Sequence, residues 1–137
     1  METSNSKYTS KTSDKVQNTN GQTGFDLEDR MAKFGEGIIL LCKSVKQDSI
    51  TRPLINQIVR SATSIGANYC EANNGSSRKD FRNKAYIAKK EAQETKHWLR
   101  MLKAASPDRA VELRVFWKES HEFVLILQSI INKVGGR

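Results

Sequence analysis

Little in this sequence is equipped for covalent chemistry or for life in a membrane. Cysteine is scarce: Cys42 and Cys70 stand 28 residues apart, each inside an apolar pattern. A disulfide framework or a zinc site needs more cysteines or a CxxC spacing, so both are expected as reduced thiols, with no metal and no cofactor. No run approaches the ~18–20 consecutive apolar residues of a membrane span. The longest, Phe123 to Leu127, belongs to an amphipathic repeat. No apolar run follows Met1, so no secretory signal is expected, and the expected location is cytoplasmic with no membrane partner. His97 and His121 have no His, Cys or Asp three or four residues on to share a metal. A di-iron bundle is not expected, the serines lack a GxSxG setting, and no Gly-rich phosphate loop occurs. The expectation is a protein that is not an enzyme.

What is present is charge and helical periodicity. At 137 residues there is room for one core. Residues 1–24 are almost entirely Ser, Thr, Asn, Gln, Lys and Gly, too polar to offset the entropy of ordering, and are expected as a disordered tail. Their three lysines face Glu2 and Asp14, a net of +1 out of the chain's +8. The remaining surplus therefore belongs to residues 25–137, which predict an all-α, antiparallel up-down-up-down four-helix bundle. Apolar stripes in steps of three and four run through Leu27, Met31, Phe34, Ile38, Leu41 and Val45, then Ile55, Ile58, Ala62, Ile65, Tyr69 and Ala72. Two more run through Phe81, Ala85, Ala88, Ala92, Thr95, Leu99 and Leu102, and through Leu113, Phe116, Ser120, Phe123, Leu127, Ile130 and Val134. Ser49 or Thr51 is placed to cap the second helix, and Asn73-Asn74-Gly75 to end it in a left-handed turn. Ser76 or Ser77 begins the third, with Asp80 completing a capping box.

The third helix carries a second pattern. With Phe81 marking the core direction, Arg82, Lys89, Lys96, Arg100 and Lys103 fall at roughly 40–100° around the wheel. From Arg78 to Lys103 there are nine basic residues against three acidic ones. A solvated face needs no partner, but a one-sided row at heptad spacing suits a phosphate backbone. On the opposite flank Ile87, Trp98 and Met101 are apolar, and Trp117, Val124 and Ile131 form a similar row on the fourth helix. Such rows mark either an oligomer interface or the edge of a wide core stripe; together they favour self-association. Ser64, Asn68 and Glu71, with Ser61, lie near the core seam of the second helix and are expected to form an interhelical polar network that fixes register.

The run QIVRSATSIGANYCEANNGSSRKDF, Gln57 to Phe81, resembles the signature of the four-helix bundle proteins encoded in intervening sequences of bacterial 23S rRNA genes. The matching positions are Gln57, Arg60, Ala62, Ser64, Ile65, Ala67, Asn68, Glu71, Ser77, Asp80 and Phe81, followed by Glu91, Glu94 and Leu99 in the next helix. Gly66 stands where many members have Pro, and the first helix matches only loosely. The resemblance implies a left-handed up-down bundle that assembles as a homo-oligomer, commonly a pentamer. A related bundle is the accessory variability determinant of diversity-generating retroelements, a basic pentamer that binds reverse transcriptase and nucleic acid. The function expected here is a non-catalytic homopentamer that binds nucleic acid, RNA above all, through the ridge. The alternative is a protein-interaction scaffold, such as a retroelement accessory protein bound to a reverse transcriptase.

Overall fold

The computed structural model describes residues 24–135, so the tail expectation lies outside the described residues apart from Gly24. Four helices follow one another: α1 (Gly24–Ser44), α2 (Thr51–Asn73), α3 (Arg78–Ala105) and α4 (Ala110–Val134), with a 3-10 turn at Pro107–Arg109. No strand occurs among the described residues. Short connections force neighbouring helices antiparallel, which gives the up-down-up-down bundle. None of the helices is long and apolar enough to cross a membrane.

The four stripes meet in one core. Every stripe residue of α1 and α2 is buried, as are Val45 just past α1 and the α3 stripe residues from Ala85 to Leu102. Phe81, Phe116 and Val134 are half-buried at the margins. Side-chain size then sets helix spacing. The middle of the α3 stripe is Ala85, Ala88, Ala92 and Thr95, and it meets the small Ser61 of α2 and Ser120 of α4, so α3 packs closely on both neighbours. The α1–α4 gap is wider and is filled by rings: Phe34 meets Phe116 and Phe123 edge-on, with centroids 5.8 and 5.3 Å apart. A Cβ on Gly37 would sit 2.9 Å from the Phe116 ring, so the glycine makes room for that ring.

The ends differ from expectation in instructive ways. Asp48 organises the start of α2: its Oδ1 accepts from the Ile50 and Thr51 N–H groups, both at 2.8 Å. These bonds, the one from Thr51 foremost, hold its carboxyl below the ordinary value. Thr51 Oγ1 instead accepts from the Asp48 N–H at 2.9 Å. At the other end of α2 the left-handed cap is not formed. Asn74 lies at φ −104°, and its N–H serves the Cys70 and Glu71 carbonyls. Ser77 does cap α3, accepting from the Asp80 N–H at 3.0 Å. The Asp80 carboxylate takes the Ser76 hydroxyl at 2.7 Å, so the reciprocal half of the capping box is replaced.

Candidate nucleic-acid interface

Because α3 lies between α2 and α4, its two flanks open onto two different grooves, and the chemistry divides with them. On the α4 side, Lys89 Nζ donates to Gln128 Oε1 at 2.7 Å. Seven residues on, Lys96 Nζ lies 3.0 Å from His121 Nδ1 and 4.8 Å from the centre of the Trp117 ring. The His121 imidazole stacks on that indole, with centroids 5.4 Å apart and planes 17° off parallel. Further along, Arg100 and Lys103 face Arg114, Trp117 and Lys118 across a cleft of about 400 Å³ that Leu99 and Leu113 also line. At the far end of the groove Arg82 joins Arg78 and Lys79 beside Val134 and Gly135. All five ridge residues thus follow one groove. Lys89 and Lys96 are half-buried and held by polar partners; Arg82, Arg100 and Lys103 are exposed.

The carboxylates of the same helices point elsewhere. On α3, Glu91 and Glu94 both pair with Arg60 of α2, the Glu91 contact at 3.3 Å, and Lys84 meets Glu71 of α2 at 2.8 Å. On α4, Glu119 and Glu122 reach Arg30 of α1, and Glu112 holds Arg109 at 2.6 Å. Among the described residues, none of Arg82, Lys89, Lys96, Arg100, Lys103, Arg114 and Lys118 makes an ion pair with a carboxylate. No carboxylate lines the cleft of Arg100, Lys103, Arg114 and Lys118, so its positive potential meets the electrostatic requirement for an anion-binding face.

Sequence reasoning missed Arg114 and Lys118. Their signal was there: they bracket Trp117 on the flank of α4 that turns toward α3. The apolar rows need correction. Ile87 is exposed, and Trp98 and Met101 are half-buried, with Trp98 Nε1 donating to Glu94 Oε2 at 3.1 Å. Val124 and Ile131, expected at an oligomer interface, are 8 % and 5 % exposed and belong to the core. They line the side of α4 pressed against α3, the edge of a wide stripe. Trp117, expected in the same row, stands in the basic cleft. The polar network is formed by only part of the expected set. Ser61 Oγ lies 2.8 Å from Thr95 Oγ1 and Glu71 pairs with Lys84, both across to α3, whereas Ser64 Oγ donates to the Arg60 carbonyl and Asn68 Nδ2 to the Ser64 carbonyl, both within α2. On the other side of α3, Ser120 Oγ of α4 donates to the Ala92 carbonyl at 2.8 Å.

Compared with known proteins, residues 25–129 match the family described as 23S rRNA-intervening sequence protein. The chain belongs to this family. It is also similar to the crystal structure of a protein of unknown function from the S23 ribosomal protein family of Bacteroides thetaiotaomicron. That likeness has 37 % identity and a TM-score of 0.69, and spans 77 % of this chain and 94 % of the other. No curated protein matches the sequence. The positions that resemble the 23S rRNA intervening-sequence signature have structural roles here. Arg60 ties Glu91 and Glu94 across the α2–α3 groove, and Glu94 also takes the Trp98 indole. Glu94 and His97 have the Glu-x-x-His spacing of half a di-iron site, but that carboxylate is already engaged. Gly66, the departure from proline, leaves α2 continuous, and a Cβ there would lie 3.3 Å from Met31 Cβ.

Proposed function

We propose that this member of the 23S rRNA-intervening sequence proteins is a non-catalytic nucleic-acid-binding protein, RNA being its main ligand, and that the α3–α4 groove is the binding face. One observation carries the reading: seven basic side chains line that groove, while Glu91 and Glu94 of α3 pair with α2, Glu119 and Glu122 of α4 with α1, Glu112 with Arg109, and Asp80 takes the Ser76 hydroxyl. Arg100, Lys103, Arg114 and Lys118 would meet phosphates, and Lys89 and Lys96, fixed by Gln128 and His121, would set the direction of the groove. The working unit in this proposal is a cytoplasmic homo-oligomer, a pentamer on the family resemblance, in which repeated grooves act by avidity. Ile87, Trp98 and Met101 remain the proposed contact between copies.

The test is RNA affinity against salt, with Arg100→Glu/Lys103→Glu as the variant, since both side chains are exposed and their reversal leaves the core intact. Affinity should fall steeply with salt, by a slope of ~0.7 per phosphate contact for a single strand. The double variant should bind all sequences more weakly and with a shallower slope. Affinity independent of salt would sink the proposal. A second reading, a protein scaffold such as a reverse-transcriptase accessory subunit, draws support from Leu40 and Val115. These are 67 % and 62 % exposed and share the α1–α4 groove with Phe116. Capture of a partner protein that survives nuclease treatment would favour it.

A further inference from the structure

The cleft between α3 and α4 has two features that phosphate binding alone does not call for. Its apolar surface is the Trp117 indole, set over the buried Leu99 and Leu113, while its polar side chains are all basic: Arg100, Lys103, Arg114 and Lys118. Its volume, about 400 Å³, lies within the ~300–1,000 Å³ of small-ligand sites. A phosphate backbone gains little from an exposed indole. A nucleobase gains more, because its faces are flat and apolar and its own phosphates stay outside, at the height of a basic rim.

The indole is also pre-positioned. Trp117 is 36 % exposed, far more than a core aromatic. His121, one turn later on α4, stacks against it, and Lys96 lies 4.8 Å from its centroid. Leu113 and Arg114, one turn earlier, belong to the cleft. The imidazole and the cleft thus lie on opposite sides of the indole along the helix axis. An aromatic already braced by a stacked ring loses little rotamer freedom when a base is laid against it.

We infer that this cleft receives an unstacked nucleobase of a single strand, laid against Trp117, with Arg100, Lys103, Arg114 and Lys118 holding the flanking phosphates. The inference rests on the nucleic-acid reading and adds the form of ligand: single-stranded or looped segments, not duplex. In a duplex the bases are stacked within the helix, and a cleft in a protein surface cannot reach their faces. Single-strand sites combine a basic track with aromatic platforms, and the platforms tolerate any base.

The experiment uses the full chain with three labelled probes at one salt concentration: a mixed-sequence single-stranded RNA of ~12 nucleotides, its duplex, and poly-glutamate of similar charge. The strand should bind more tightly than the duplex or the polypeptide. Trp117→Ala should weaken the strand roughly tenfold, leave the duplex unchanged, and be largely rescued by Trp117→Phe. In a Trp98→Phe background, where Trp117 is the one remaining tryptophan, emission should be quenched as the strand binds. Equal affinity for strand and duplex, unchanged in Trp117→Ala, overturns the base-binding cleft and leaves the groove as a phosphate-binding face. Poly-glutamate binding as tightly as the strand overturns it in favour of an acidic protein ligand. Should neither RNA bind, the nucleic-acid reading fails with it. If Trp117→Ala does not fold, unquenched emission in Trp98→Phe is itself the overturning result.

Discussion

Arg30 shows how much a single side chain contributes where two helices stand apart. Its Nε and Nη2 each donate at 2.7 Å to the two oxygens of Glu119, and its guanidinium lies 5.1 Å from the Phe123 centroid. Both partners are more than two-thirds buried, so solvent screens the pair less than a surface bridge. The Glu119 hydrogen bonds foremost raise the Arg30 pKa above its ordinary value. A lysine offers one point charge and no fork, so Arg30→Lys should cost about 1 kcal/mol and lower the urea midpoint, with an unchanged midpoint as the contrary result. Two buried groups set the alkaline behaviour. Burial pushes the Cys42 thiol up to about 11 and the Tyr69 phenol up to about 12. Both are neutral in the folded protein and ionise more easily once unfolded. The stability they add is complete below the ordinary thiol value of 9.0 and is lost as pH rises through about 11 and then about 12. Urea midpoints at pH 8 and above pH 10 should show the decline, and Cys42→Ala should flatten its first part.

At the scale of the element, the α2–α3 seam is where close approach matters. Ala88 and Ala92 are fully buried on a helix that approaches α2 closely enough for Thr95 to bond Ser61, so little space is left for a longer side chain. Ala92→Leu should therefore destabilise by about 1–3 kcal/mol, and Ser120→Ala, which loses the bond to the Ala92 carbonyl, by about 1 kcal/mol. A thermal melt in which Ala92→Leu matches the wild type would mean the helices can part freely. These elements were legible beforehand because a helix that buries one face must repeat its apolar residues every three or four positions. What periodicity does not give is which neighbour lies beside each flank. Val124 and Ile131 were therefore readable as apolar, with an interface and the core edge left as alternatives, and Trp117 was grouped with them although it borders the basic cleft. The same limit hid only the partner of Ser61: its interhelical role was legible, but Thr95 looked like a spacer on its stripe until α2 was laid beside it, whereas Ser64 and Asn68 find their partners one turn back in α2. The ridge itself was legible, since all five of its residues share one wheel sector and so one groove.

For the whole molecule, the division of charge sets two salt dependences against each other. The chain carries a net +8, and the carboxylates of α3 and α4 are engaged away from the groove where Arg100, Lys103, Arg114 and Lys118 crowd one cleft. Without a ligand these cations repel one another, and compactness is maintained against that repulsion. Added salt shortens the screening length from about 10 Å at 0.1 M to about 3 Å at 1 M, enough to separate neighbouring side chains electrically. It also weakens the exposed ion pairs, such as Lys84–Glu71 and Arg109–Glu112, but those contribute little. Repulsion is the larger effect, so the melting temperature should rise with sodium chloride while RNA affinity falls. At low salt, RNA itself should raise the melting temperature by mass action, and that increment should vanish at high salt as binding is lost. Reversing Arg100 and Lys103 to Glu should flatten both trends together, because one groove is responsible for both. Melts in which salt lowers stability, or in which the double variant keeps the wild-type salt response, would mean that the cations of this groove are not what the fold works against.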